Sequence, residues 1–599
     1  MLVITPQDRK LQRARAQRFA ICIWVVFIVL FARLWQLQIA QGDALLRQSE
    51  TNRRRLLRVR APRGVILDRK NRTVATSRPR FVVSVIPERI QESPEALARL
   101  CDILQTSRED LRAIINRNQS IKGAPVRVEA NATPETVAMI EEQKFLLPGV
   151  SVELDQVRYY PDGSLFAHVL GYLREIDKDE LEQRKDMYRP GDFIGKSGIE
   201  RQYDGKLHGT DGGKLIEVDA HGRRTRLLGD QDSMPGATLV LSLDKKVQKA
   251  AADALDGKVG AAVALNPRTG EVLAMVSKPD FDPNVFVKGL KSSDWAGITG
   301  NKHHPLQNRC ISNKYPPGST FKVVTAAAGL THGVITTHSS ANCPGIFYLG
   351  RHPWRCWSRH GGVNFYTAIS RSCDVFFYRT GLRLGMDHLS DMALAFGLGN
   401  KTGVDLPNER SGCIPTREWK KRVNPRDPDW HAYESINSAI GQGDVETTPL
   451  QMALVAAVIA NNGKAMRPHM LKEIRDRTGK VIATFKPGLL RKAPVSQEDI
   501  ASIKKGMRET VIGARGTGHV VNLPGITVAA KTGSAQHHRG RRTHAWFICF
   551  APVENPQIAI CVFREEGGHG GSESGPVARA MLEEYFHVRA QAQRSGRTD

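Results

Sequence analysis

A serine followed three residues later by a lysine puts a hydroxyl and an amine on one helix face. An amine so placed can take the proton of an otherwise weak nucleophile. The chain carries this spacing at Ser242–Lys245, Ser319–Lys322 and Ser502–Lys505. Only Ser319 follows a Pro316-Pro317-Gly318 turn, which suits entry into a helix whose first backbone N–H groups are free. That copy therefore offers a nucleophile, a base and one arm of an oxyanion hole. The other two read as solvated helix faces.

Two further motifs lie downstream of Ser319. Ser372-Cys373-Asp374 begins 53 residues after it, and Lys531-Thr532-Gly533-Ser534 begins 159 residues after Ser372. Lys-Thr-Gly also occurs at Lys401, but there it sits in a glycine-rich loop, whereas Lys531 follows the strand-like Ile526–Ala530. Ser-x-x-Lys, a serine triplet and Lys-Thr-Gly in this order form the signature of serine penicillin-binding enzymes. A second constellation overlaps the triplet. Cys343, Cys356, His360 and Cys373 are spaced 13, 4 and 13 apart, and three thiolates with one imidazole make a closed tetrahedral zinc set. The set is a candidate for structural zinc; a disulfide such as Cys343–Cys356, or free thiols, are the alternatives.

Positioning these groups takes a long chain. At 599 residues two or three domains are expected. The formal net charge of +25 suits an acidic surface or polymer, but no nucleic-acid-binding signature is present, so nucleic acid is set aside. An apolar run from Phe19 to Ala32 continues past Arg33 to Ile39, about one bilayer span, with Arg33 able to snorkel. No small-x-small cleavage site ends it, so it reads as an anchor rather than a removed signal. Five basic residues and one acidic residue precede it, which predicts a cytoplasmic N-terminus and everything after residue 40 outside the cytosol.

The expected organisation is a cytoplasmic segment at 1–18, a transmembrane helix at 19–40, a non-catalytic pedestal at 41–235, a catalytic domain at 236–587 and a basic tail at 588–599. In the pedestal, a helix runs into the basic stretch Arg53–Arg55, and Pro62–Ala75 reads as a β-hairpin with Asn71 in the left-handed position. Helical patterns cover 95–116 and 133–144. In the catalytic domain, strands are expected at 238–244, 260–266, 271–276, 526–532, 544–550 and 557–564, with a closing helix at 576–585. Strands at both ends with helices between them predict an α+β fold with one antiparallel sheet. His303-His304 and His537-His538 read as solvated loop pairs. His544 and Trp546 either line the cleft or alternate with the core.

On Arg63-Gly64-x-Ile66-x-Asp68-Arg69, Gly198-Ile199-Glu200, Tyr203-Asp204, the Tyr315–Lys322 run, Gly441-Gln442-Gly443 and Lys531–Gln536, residues 10–585 resemble the elongation-type class B penicillin-binding proteins. The fold implied is serine β-lactamase-like. Two positions depart from the wider pattern: Asn71 replaces a glycine, and Asp374 stands where asparagine is usual, although close relatives carry aspartate. The resemblance implies that Ser319 attacks the penultimate D-Ala carbonyl of a stem peptide and expels D-Ala. Lys322 would be the neutral base, its pKa lowered by burial and by Lys531. Ser372 would relay a proton, Asp374 would complete the triplet, and Lys531 and Thr532 would hold the substrate carboxylate beside Gly533. The N–H groups of Ser319 and Ser534 would form the oxyanion hole. No cofactor is needed for catalysis. The implied partners are peptidoglycan stem peptides, a polytopic SEDS-type glycosyltransferase, other elongation-complex proteins, the inner membrane, and β-lactams as covalent inhibitors. A division-type transpeptidase of the same class, a β-lactamase, and a β-lactam sensor or activating scaffold are the competing readings.

Overall fold

A computed structural model describes residues 6–118, 125–218, 224–288, 292–536 and 541–588; His537, His538 and the tail from 589 lie outside the described residues. The chain forms two compact units, one of Met1–Ala61 with Thr210–Met234 and one of Pro62–Gly209 with Pro235–Asp599.

In the first unit a helix, Pro6–Trp35, runs on through a wider turn at Gln36–Ala40. Its apolar stretch covers Arg15–Ala40, 26 residues with none of its apolar window buried. At 1.5 Å per residue that is about 39 Å, enough to cross a hydrocarbon core of about 30 Å. Arg33 Nη1 donates to Gln36 Oε1 at 2.8 Å. After the helix Gly42–Arg53, most of the basic stretch is strand rather than helix. Arg54–Val59 pairs antiparallel with Gly212–Val218, which pairs with Arg224–Gln231. Cross-strand acids explain the switch. Arg53 pairs with Glu217 and Arg58 with Asp211, contacts that a continued helix would not provide.

The second unit begins with the expected hairpin. Ile66–Leu67 turns back into Thr73–Val85, with Asn71 at φ 60° and Asp68 Oδ1 accepting from the Lys70 and Arg72 N–H groups at 2.8 Å each. Thr73–Val85 carries Val126–Ala132 and Val150–Tyr159 as antiparallel neighbours. The single helical pattern expected over 95–116 divides into Pro94–Leu104 and Arg108–Asn118, because Gln105 takes the left-handed conformation at φ 51°. Strand Thr238–Leu241 joins this pedestal sheet, parallel to Ile66–Leu67 and antiparallel to Leu471–Arg475.

A buried ion cluster knots the pedestal. Glu200 binds Arg63 and Arg158 at 2.6 Å each, and Asp204 binds Arg63 at 2.7 Å and the Tyr188 hydroxyl at 2.6 Å. Burial alone would raise the Glu200 carboxyl, but Arg158 and Arg63 hold it below its ordinary value. Removing one partner from such a cluster costs about 3–5 kcal/mol, because it strands a buried charge.

The catalytic sheet has five antiparallel strands: β1 Gly260–Leu265, β2 Val272–Lys278, β3 Ala529–Ala535, β4 His544–Ala551 and β5 Ile558–Arg564, in the order β2-β1-β5-β4-β3. Side chains alternate between its faces. Ala262 and Ala264 pack with Val247, Val577 and Met581, from helices Lys245–Ala254 and Gly575–Phe586. Ala261 and Val263 face the larger core that includes Leu450–Ala460. Helix Pro449–Ala460 is buried on every side, as a sequence apolar all round but for Gln451 requires, and Gln451 Nε2 donates to the Asn400 and Ser411 carbonyls. Strand β3 starts three residues later than expected, since Leu523 and Ile526 pair across a turn at Gly525. The shift leaves Lys531 and Thr532 mid-strand.

Candidate active site

The nucleophile turn is held from three sides. Gly318–Phe321 forms a tight 3₁₀ turn that runs into helix Lys322–Thr331. Gly318 sits at φ 54° and donates its N–H to the Gly441 carbonyl at 2.9 Å. Thr320 Oγ1 donates to the Pro317 carbonyl at 2.7 Å, and the Trp546 indole donates to the Pro316 carbonyl at 2.9 Å. Ser319 is half-buried between these anchors. The other serine–lysine pairs have no such setting. Ser242 Oγ donates to the Val272 carbonyl at 2.8 Å, and Lys505 lies over the Tyr366 ring. The second Lys-Thr-Gly is structural, with Thr402 Oγ1 donating to Glu409 at 2.6 Å.

Lys322, Ser372, Asp374 and Lys531 converge as the sequence predicts. Both lysines are fully buried. Lys322 Nζ donates to Asp374 Oδ1 at 2.7 Å, to the Ser372 carbonyl at 2.9 Å and to Ser372 Oγ at 3.3 Å. Lys531 Nζ donates to Ser372 Oγ at 2.8 Å and to the Thr532 carbonyl at 2.9 Å. One hydroxyl thus bridges two amines.

The Lys531 amine is pushed well below its ordinary pKa, first by burial and then by the neighbouring Lys322 charge, with Asp374 opposing. Lys322 has the carboxylate that an asparagine at 374 would not supply, and Lys531 has none in contact.

Strand β3 closes the other wall. Thr532 shares a 2.7 Å hydrogen bond with Thr517, whose hydroxyl also reaches the Ser370 carbonyl at 3.4 Å. A methyl on Gly533 would lie 3.0 Å from Thr320 Cγ2, so glycine there lets the strand approach the nucleophile turn. Ser534 is half-buried beside it. Thr517 was not singled out from sequence, where flanking glycines at 516 and 518 are the only local signal; Thr320 is read only as part of the Ser319 run, and Trp357 only within the Arg355-Cys356-Trp357 segment that favours the elongation-type reading. His544 is buried, its Nδ1 accepting from the Glu566 N–H at 3.1 Å, and His304 is exposed.

The cysteine–histidine set also assembles. Strands Ser340–Cys343 and Gly361–Asn364 pair, and Cys356 N–H donates to the Gly345 carbonyl at 2.9 Å. One ligand atom from each of Cys343, Cys356, His360 and Cys373 falls within 4.8 Å of all the others. His360 Nδ1 lies 3.5 Å from Cys343 Sγ and 3.4 Å from Cys356 Sγ. A tetrahedral zinc with Zn–S of about 2.3 Å and Zn–N of about 2.0 Å sets N···S at about 3.5 Å, so the donors fit. A hydrogen bond from Cys373 lowers the Cys356 thiol to about 5 and raises that of Cys373. All nine cysteines are free thiols, so the Cys343–Cys356 disulfide is not formed.

Residues 260–583 match the family described as "Penicillin binding protein transpeptidase domain", and residues 58–241 match "Penicillin-binding Protein dimerisation domain". The chain is similar to "Peptidoglycan D,D-transpeptidase MrdA" of Acinetobacter baumannii, at 37% identity over 97% of this chain and 89% of the relative. It is similar in structure to penicillin-binding protein 2 of Helicobacter pylori, solved in complex with MreC, at TM-score 0.78 and 30% identity over 89% of this chain and 99% of that one. A chain from a solved peptidoglycan synthase complex, described as coordinating polymerisation and crosslinking, matches at TM-score 0.72 and 28% identity over 96% of this chain and 98% of that one.

Proposed function

The chain belongs to the penicillin-binding protein 2 family of peptidoglycan D,D-transpeptidases, and from that premise we propose that Ser319 is the nucleophile with which it cross-links stem peptides during cell elongation. The observation that carries the assignment is the Lys322–Ser372–Lys531 bridge, which is built at this one Ser-x-x-Lys copy.

In the first half-reaction Ser319 Oγ bonds to the penultimate D-Ala carbonyl carbon, and the peptide bond to the terminal D-Ala breaks. The serine proton leaves with the departing amine. In the second half-reaction an amine of a neighbouring stem peptide bonds to the acyl carbon and Ser319 is released with its proton restored. Of the two amines, Lys322 contacts the Asp374 carboxylate and Lys531 contacts Ser372 Oγ. Burial favours a neutral amine at Lys531, and a neutral amine is what a general base requires. Ser372 Oγ touches both, so we assign proton exchange to the three groups as one coupled unit. The Ser319 and Ser534 N–H groups would bind the oxyanion, and Thr532 with Gly533 would line the substrate carboxylate.

Residues 58–241 then serve as the pedestal and 260–583 carry the chemistry, with the Pro6–Ala40 helix as a single inner-membrane anchor and the catalytic unit in the periplasm. The basic residues before the span support that orientation. The relatives' complexes, one with MreC and one a peptidoglycan synthase complex, support elongation-complex partners; a SEDS-type polymerase and covalent inhibition of Ser319 by β-lactams are what the family resemblance implies.

Cys343, Cys356, His360 and Cys373 would hold a structural zinc that fastens the loop before the Ser372 turn. Metal analysis of the purified chain should find about one zinc per protein; a folded, active, metal-free protein would contradict this. The test of the reaction itself is release of D-alanine from a pentapeptide donor with formation of a cross-linked dimer. Ser319→Ala should abolish both products, and cross-linking by a folded Ser319→Ala chain would refute the assignment.

A further inference from the structure

Among the described residues, Trp357 is the one large aromatic side chain that combines wide exposure with bonds to the catalytic triplet. Its ring is 60% exposed, so it adds little to any core, yet its orientation is fixed by polar contacts. The indole Nε1–H is shared between the Arg371 carbonyl at 3.1 Å and the Ser372 carbonyl at 3.2 Å. Its main-chain N–H donates to Asp374 Oδ2 at 3.2 Å. The ring also meets His360 edge-on, with centroids 5.2 Å apart.

These bonds land on atoms that the lysines use. The Ser372 carbonyl accepts from Lys322 Nζ as well as from Trp357, and the Asp374 carboxylate gives Oδ1 to Lys322 and Oδ2 to Trp357. Ser372 is also held at φ 56°, a left-handed conformation that a non-glycine residue keeps only where surrounding bonds enforce it.

We propose that Trp357 is a positioning residue for transpeptidation, a two-point clamp that fixes the Ser372–Asp374 turn and thereby sets Ser372 Oγ between Lys322 and Lys531. It does not touch the reacting atoms, and the inference rests on the catalytic reading of Ser372 and Asp374.

The test replaces Trp357 in the full-length chain with β-(3-benzothienyl)alanine, which keeps the ring and puts sulfur in place of the N–H, and in parallel makes Trp357→Phe. Acylation by a fluorescent penicillin is followed per active site, with the active fraction counted by saturating labelling and zinc measured in each sample. Losing one neutral hydrogen bond that forms part of the catalytic geometry should lower the acylation rate constant about tenfold. The dissociation constant of the non-covalent complex should stay within about twofold, and active fraction and metal content should be unchanged. Trp357→His, which restores an N–H donor, should recover part of the rate. Per-site rates equal to wild type in both ring variants would overturn the clamp. So would a loss explained wholly by a smaller active fraction, or one confined to the non-covalent step. Wild-type protein in the same experiment must acylate at Ser319; if it does not, the catalytic reading itself falls.

Discussion

Replacing Gly318 by alanine would drive a wedge between the nucleophile turn and strand β3. A methyl group built on Gly318 lies 2.8 Å from the Ser534 carbonyl oxygen, 3.1 Å from its carbon and 3.2 Å from Ala535 Cβ. Ordinary contact begins at 3.4 Å, so the turn and the strand must part by about 0.6 Å, which widens the gap between the Ser319 and Ser534 N–H groups. A misplacement of 1 Å costs about 100-fold in rate, so about 0.6 Å corresponds to roughly 15-fold. The φ of 54° adds about 1–2 kcal/mol of strain, partly offset by about 0.4–1 kcal/mol from the stiffer unfolded chain. Gly443→Ala is the matched control. It carries the same kind of strain at φ 72°, but its methyl would meet nothing closer than Asn437 Cβ at 3.6 Å. Stopped-flow acylation normalised to labelled sites should show the 15-fold loss for Gly318→Ala and a near-wild-type constant for Gly443→Ala, with both variants melting lower. Equal per-site rates in the two variants would refute the oxyanion-gap reasoning.

Ser372→Ala removes the hydroxyl that joins the two amines and should slow acylation by about 10²–10⁴-fold while leaving non-covalent penicillin binding intact; labelling kinetics over a concentration series separate the two. Lys531→Met should abolish acylation yet raise the melting temperature, because a buried amine held well below its ordinary pKa opposes folding at neutral pH. The sign follows from proton counts: between its folded pKa and about 10.4 the unfolded chain binds the extra proton, so wild-type stability rises with pH there. Lys531→Met should flatten that rise in thermal melts across the window, and a variant that melts lower at neutral pH would contradict the charge assignment. Glu200→Gln, 0% exposed between Arg63 and Arg158, should cost about 3–5 kcal/mol in denaturant unfolding without changing the per-site acylation constant of the folded fraction.

Much of the catalytic unit was legible in the residue pattern. Near-continuous apolar runs in β1, β4 and β5, and a run at 449–460 broken only by Gln451, report burial directly. Lys322, Ser372, Asp374 and Lys531 come together as their motif order implies. The pedestal and the charges were harder to read. Arg54–Arg55 looked helical because strand partners such as Glu217 lie more than 150 residues away in sequence. A left-handed Gln105 broke one helical pattern in two, and no local signal marks it. Spacing places a lysine near a serine but does not say which lysine faces the carboxylate: Asp374 lies against Lys322, and burial pushes the Lys531 amine down. The hydrogen bonds of Trp357 and Thr517 to Ser372, Asp374 and Thr532 were not legible for a related reason: no spacing rule encodes them.

Intact-mass analysis after exposure to penicillin tests the central claim most directly. The wild-type chain should gain one stable penicilloyl adduct, mapped by peptide digestion to the segment containing Ser319, and Ser319→Ala should gain none. An adduct that persists in Ser319→Ala, or one that maps to Ser242 or Ser502, would contradict the account.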